Sequence, residues 1–284
     1  MTLTLADKQY PTYILQDDSS GNYIEVVPSR GGIVTSWVVN GQEQFYMDQE
    51  RYRDPTLSIR GGNPILFPIC GNLPDNSYTY DGATYQLKQH GFARESVWQV
   101  VGNTDHSLTI ALTANASTLA NYPFDFRLQF TYTVGANNLL IEQEITNLTD
   151  RVMPFSVGFH PYFAMDCKDS INLNISAQKL WNNVHKVEET YTGKFDFSLP
   201  EIDNALYLDA DCRSMTMTSA QGTLTIKFDE NYRVFVVWTV QGKNFICLEP
   251  WTGGRNAMNT GENLIHLPPQ TTKSMVVAYE VHQN

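Results

Sequence analysis

Phe126-Arg127-Leu128-Gln129-Phe130-Thr131-Tyr132-Thr133-Val134 alternates apolar and polar residues without a break. Side chains of a strand point in turn to its two faces, so this stretch predicts a β-strand with one buried and one wet face. The polar turn Gly135-Ala136-Asn137-Asn138 follows, and 139–146 reads as the returning strand of a hairpin. Two further hairpins are predicted upstream, at 78–87 folded at Asp81-Gly82 and at 33–46 folded at Asn40-Gly41. More alternating runs lie at 171–175, 223–228 and 275–281, and 234–238 has the continuous apolar character of a fully buried strand.

No segment sustains helical periodicity for three turns; short helices are predicted near 50–53 and 117–120. Strands recur from 23 to 281 with no Pro/Gly/Ser linker and no internal repeat. The expected architecture is all-β, one large antiparallel β-sandwich forming a single domain over 1–284. The stretch 182–209 is poorer in pattern and is expected to carry long loops of the kind that border sites.

Composition sets the outer bounds. Hydrophobic residues make up 42% of the 284 and charged residues 17%, enough for an ordinary globular core. A net charge of −11 argues against a broad nucleic-acid surface, so any basic patch must be local. The first eighteen residues lack a basic and then apolar leader, and no apolar run reaches membrane-span length. Cys70, Cys167, Cys212 and Cys247 are scattered and form no CxxC pair, which predicts reduced thiols in a cytoplasmic protein. Sequons at Asn115, Asn147 and Asn174 have no meaning without export.

Two predicted strands end in groups able to move protons. In Phe155-Ser156-Val157-Gly158-Phe159-His160, the histidine shares a face with Ser156 and Gly158, and those small residues predict room above that face. The plainer alternative is a satisfied, partly buried histidine. Phe245-Ile246-Cys247-Leu248-Glu249 closes an apolar strand on a carboxylate, a candidate general base whose basicity burial would raise. Its plainer alternative is a strand-end glutamate in water. Trp251, after Pro250, offers an aromatic face suited to stacking on a sugar. Arg60-Gly61-Gly62 and Gln89-His90-Gly91-Phe92-Ala93-Arg94 add weaker candidates, each compatible with a solvated turn.

Taken in order, 60–71, 81–87 (DGATYQL), 90–94 (HGFAR), 158–163 (GFHPYF) and 248–254 (LEPWTGG) resemble the aldose 1-epimerase (mutarotase) family of galactose-mutarotase-like β-sandwich proteins. Gly261-Glu262-Asn263 and Leu267-Pro268-Pro269 resemble that family's entry to its C-terminal strand. The resemblance implies interconversion of sugar anomers. It assigns His160 as general acid to the ring oxygen, Glu249 as base to the anomeric hydroxyl, His90 as a second histidine positioning the sugar, and Asp203 as a partner of sugar hydroxyls.

One departure stands out: many galactose mutarotases carry an arginine where this chain has Asn72. Arg60 and Arg94 instead resemble a pattern of the hexose-6-phosphate 1-epimerase branch, where arginines bind phosphate. The expected partner is a small sugar, with no nucleic acid and no membrane, and the expected state is a monomer or weak homodimer. No dinucleotide fingerprint, P-loop or metal-ligand cluster occurs, so no cofactor and no metal is expected. Competing readings are a non-catalytic carbohydrate-binding protein and a glycoside hydrolase pairing Glu249 with Asp203.

Overall fold

The computed structural model describes residues 2–168 and 170–283. The opening stretch forms the strand Phe126–Val134, and its inward residues Phe126, Leu128, Phe130, Tyr132 and Val134 are all fully buried. It pairs with Asn138–Asn147 in unbroken register from Val134–Leu139 to Phe126–Asn147. Both predicted Asx-Gly hairpins form. Asp81 and Gly82 have φ of 49° and 76°, and Asn40 and Gly41 have φ of 50° and 77°. Positive φ at both turn residues matches the right-handed twist of the flanking strands, which is why Asn-Gly and Asp-Gly are favoured there.

All ladders among the described strands are antiparallel, as expected for the all-β sandwich. One eight-stranded sheet runs in spatial order Asn172–Ile175, Ser214–Ser219, Gly222–Phe228, Thr272–Gln283, Asn138–Asn147, Phe126–Val134, Leu108–Thr113 and Gln99–Asn103. The second is built around Glu201–Leu208, Val234–Val240 and Phe245–Trp251, with Gly158–Phe159, Ile65–Leu66 and Tyr162–Ala164 on its far side. Their inner faces meet through aromatic rings: Phe130 and Phe159 have centroids 5.9 Å apart, and Phe228 and Phe235 6.1 Å. Five N-terminal strands form a separate sheet whose buried Leu15, Ile24 and Trp37 join the same apolar cluster.

The two short helices form at Gln49–Arg53 and Ala116–Asn121, each started by an Asx N-cap, Asp48 and Asn115. The four cysteines are free, and no described helix is long and apolar enough to cross a membrane.

Two expectations change. The stretch 182–209 contains strands Val187–Thr190 and Glu201–Leu208, and a true loop occupies only the part between them. Val187–Thr190 is an exposed edge strand, so no apolar alternation marks it. The predicted strand 155–160 also breaks in two. Met153–Phe155 pairs with Ile265–Leu267, whereas Gly158–Phe159 bridges Ile65–Leu66 and Phe245–Trp251. Between them Ser156 donates its N–H to the Pro68 carbonyl, and Val157 donates to the Thr252 hydroxyl, so the ladder is interrupted by bonds to loops.

Strand alternation sets a contrast that can be measured. Phe130→Ala should cost about 3–5 kcal/mol by denaturant unfolding, and Arg127→Ala on the wet face about 0.5 kcal/mol or less. Equal losses would contradict the assigned faces.

Candidate active site

Cross-strand register builds the floor of the site. Asp203 lies opposite Trp238, Trp238 opposite Cys247, and Cys247 opposite Tyr162, giving one row across four strands. Two residues along from Cys247 is Glu249, and two before Tyr162 is His160, so period two brings both to that same face. His160 Nε2 and Glu249 Oε1 are 3.4 Å apart, with Glu249 almost wholly buried. A cavity of about 360 Å³ opens above them, lined also by His90, Arg60, Arg94, Asp203, Trp251 and Arg255.

Each candidate side chain is held by neighbours. His160 donates its backbone N–H to Pro64 and stacks its ring on Tyr162 at 4.8 Å and 12°. Trp251 Nε1 donates to Glu249 Oε2 at 3.2 Å. His90 stands at φ 68°, a left-handed conformation costly for a residue with a Cβ. It is fixed there by a reciprocal pair: its N–H donates to the Gly71 carbonyl at 2.7 Å, and its Nδ1 accepts from Gly71 N–H at 3.1 Å. Burial holds the His90 ring well below the usual imidazole range, helped by Arg94, His160 and Arg255. With Nδ1 accepting and the ring neutral, the proton resides on Nε2, which makes His90 a fixed donor.

Burial also dominates the central pair. Removal from water pushes Glu249 well above its ordinary value, and Asp203 adds to this; Arg255, Trp251 and Arg94 oppose it. The same loss of water lowers His160 to about 3, reinforced by the cations Arg94, Arg255 and Arg60. Burial thus raises the affinity of Glu249 for a proton and lowers that of His160. Desolvation is the cause, since it penalises both charged forms at once. Their contact at 3.4 Å puts the two groups within reach of one another for proton exchange.

Trp251 does not present an open stacking face. It is 1% exposed, sits edge to face with His90 at 5.5 Å, and lies beneath the Arg255 guanidinium at 5.4 Å. The small residue at 158 accommodates this ring: a Cβ there would fall 2.7 Å from Trp251 Cδ1. The room predicted above the histidine's face is thus taken by Trp251 at Gly158. The more accessible aromatic is Trp238, which lines the cavity, lies under Arg60 at 5.9 Å and donates Nε1 to Glu201 at 2.9 Å.

Asp203 accepts two bonds from Arg255 Nη2, at 2.9 and 3.1 Å, and another from Asn183. Arg94 donates to the Gln89 carbonyl at 2.9 Å. No carboxylate pairs with Arg60 or Arg94 among the described residues. Asn72 is exposed and does not line the cavity; its carbonyl accepts from Asn256 N–H. Tyr162 and Trp238 were not legible as site residues, although Tyr162 stands at the i+2 position from His160. The His160–Pro161 bond is trans, the cis bond among the described residues being Phe67–Pro68. His160, Cys247 and Glu249 place potential ligand atoms within 4.8 Å of one another, but three arginines act on His160 and Cys247 is a buried thiol held far above its usual range.

The antiparallel β-sandwich shares its fold with solved galactose mutarotase-like proteins. More particularly, the chain belongs to the aldose 1-epimerase family, whose model matches residues 15–279. The Slr1438 protein from Synechocystis sp. PCC 6803 has a solved structure that superposes with a TM-score of 0.94 at 42% identity, covering 100% of this chain and 99% of that one. The chromosomal protein LacX of Lactococcus lactis subsp. lactis is 28% identical over 243 residues, 75% of this chain and 80% of that protein. A galactose mutarotase related enzyme from Lactobacillus acidophilus shares the fold, with a TM-score of 0.81 at 21% identity over 96% of this chain and 97% of that one.

The protonation of the pair can be read directly. Ring ¹⁵N shifts of His160 should remain those of a neutral imidazole from about pH 5 to 8, because its folded value lies near 3. A midpoint near 6.5 would contradict the assigned environment.

Proposed function

We propose that the protein is an aldose 1-epimerase that interconverts the α and β anomers of a hexose through His160 and Glu249. The observation that carries this reading is their 3.4 Å separation at the cavity floor. Mutarotation removes a proton from O1 and delivers one to the ring oxygen, and both oxygens are bonded to C1. Two proton-transfer groups serving one carbon must stand close together and differ in basicity.

The sugar itself supplies what burial removed. O1–H donating to Glu249 favours the carboxylate, and a ring oxygen accepting from His160 favours the imidazolium, so binding draws the shared proton from Glu249 to His160. Glu249 then takes the O1 proton as His160 protonates the ring oxygen. The C1–O5 bond breaks, the open aldehyde turns about C1–C2, and reclosure on the other carbonyl face returns both protons. In this reading His90 Nε2–H holds a sugar oxygen through these steps. No hydride or phosphoryl group moves.

The glycosidase alternative loses its second carboxylate, because Asp203 is already engaged by Arg255 and Asn183. A plain binding protein gives no reason to sequester a proton-sharing pair from water. A second reading, hexose-6-phosphate 1-epimerization, is favoured by the absence, among the described residues, of carboxylate partners on Arg60 and Arg94. Four arginines line the cavity against Glu201, Asp203 and a Glu249 pushed towards its neutral form, in a chain of net charge −11. Arg94 also borders an adjoining cavity of about 470 Å³ that Arg30 and Lys88 line. Such a setting can offset a phosphate's charge.

Polarimetry or NMR exchange on glucose, galactose and glucose 6-phosphate tests both readings. Wild-type protein should accelerate anomer exchange on at least one, and His160→Ala or Glu249→Gln should each lose about 10²–10⁴-fold. Wild-type rates in either variant would sink the assignment, and a phosphate preference of less than a few-fold would reject the second reading.

A further inference from the structure

We propose that Arg255 is a positioning residue of this site: tied to Asp203 and laid over Trp251, it fixes the Asp203 carboxylate beside the cavity and counters that carboxylate's field at the His160–Glu249 pair. The proposal builds on the epimerase reading but concerns a residue that reading does not use.

The geometry is specific. Arg255 follows the buried Thr252-Gly253 turn at the end of the Glu249 strand, and the next residue is pinned by Asn256 N–H donating to the Asn72 carbonyl at 3.1 Å. Its side chain passes across Gly71, where a Cβ would fall 2.3 Å from Arg255 Cγ. Gly71 also has φ 77°, so two independent constraints keep a side chain out of Arg255's path. At the far end Nη2 reaches both Asp203 oxygens, while Nε and Nη1 have no hydrogen-bond partner among the described residues. The carboxylate and the guanidinium therefore hold each other in place, with the Trp251 ring as the base on which the guanidinium rests.

The charges around the pair give this clamp a measurable effect. Glu249 faces Asp203, Arg255 and Arg94, with Cys70, Cys247 and Tyr162 close by but kept neutral by burial. His160 faces Arg94, Arg255 and Arg60, and its ring abuts the neutral His90. Arg255 thus acts on both members of the pair. A nearby cation disfavours protonation, so its removal raises both affinities for a proton and leaves Asp203 unopposed. Removing Asp203 instead has the opposite sign at Glu249.

The test compares Arg255→Gln, Arg255→Lys and Asp203→Asn with wild type by two measurements. Carbon-13 titration of the Glu249 carboxyl needs no substrate; its midpoint should rise in Arg255→Gln, stay near wild type in Arg255→Lys and fall in Asp203→Asn. The pH profile of kcat/KM, on whichever of the three sugars wild type turns over, should move bodily to higher pH in Arg255→Gln. Activity on the acid limb should drop about ten-fold for each unit of that move. Arg255→Lys, which keeps the charge but loses the guanidinium that spans Asp203 and the Trp251 ring, should restore the limbs with KM above that of wild type. A Glu249 midpoint unchanged in both Arg255→Gln and Asp203→Asn overturns the proposal, as does an Arg255→Gln profile that superposes on wild type after scaling. Should Arg255→Gln fail to fold, the downward move in Asp203→Asn decides alone. A wild type that exchanges no anomers defeats the epimerase reading and leaves the carboxyl titration to judge this one.

Discussion

The site is governed by one constraint: a carboxyl and an imidazole are held together, largely out of water, on the floor of a cavity. Each unit by which burial displaces such a group corresponds to about 1.4 kcal/mol between its two protonation states. Burial therefore works against the charged form of each, raising Glu249 and lowering His160. Trp251, donating to Glu249, and the arginines around His160 tune that balance without reversing it. A substrate offering a hydroxyl to one member and an oxygen lone pair to the other can reverse it, and an anomeric centre offers both on one carbon.

The sandwich makes this placement possible because strand register is rigid. His160 and Glu249 lie far apart in sequence, yet Tyr162–Cys247 pairing and period two fix their relative positions within the sheet. Asp203 enters through the next ladders, by way of Trp238. His90 comes from a loop, and it needs a left-handed backbone and the reciprocal Gly71 bonds to stand where it does. Glu249 thus comes from a strand and His160 from the two-residue link between two short strands, while loops and turns supply His90, Arg60, Arg94 and Arg255 around them.

Much of this was legible in the sequence because it is local. Alternation in 126–134 and the Asn-Gly and Asp-Gly turns specify hairpins without reference to the rest of the chain. His160 and Glu249 were also visible, though ordered motifs and not spacing singled them out. What stayed hidden depends on partners distant in sequence. The break after Phe155 is set by Pro68 and Thr252, and the edge strand Val187–Thr190 buries nothing that would mark it. Trp251 looked like a sugar platform until Gly158 and His90 were seen to cover it. The path of Arg255 to Asp203 depends on Gly71, nearly two hundred residues earlier.

The central claim is that His160 and Glu249 act as one proton-sharing unit, and a double-mutant cycle on anomer exchange tests it most directly. If the account is right, His160→Ala/Glu249→Gln will be about as slow as either single variant, because losing one member already disables the pair. Losses that multiply, with the double variant slower by the product of the two single effects, would show that the groups act independently and would contradict the account.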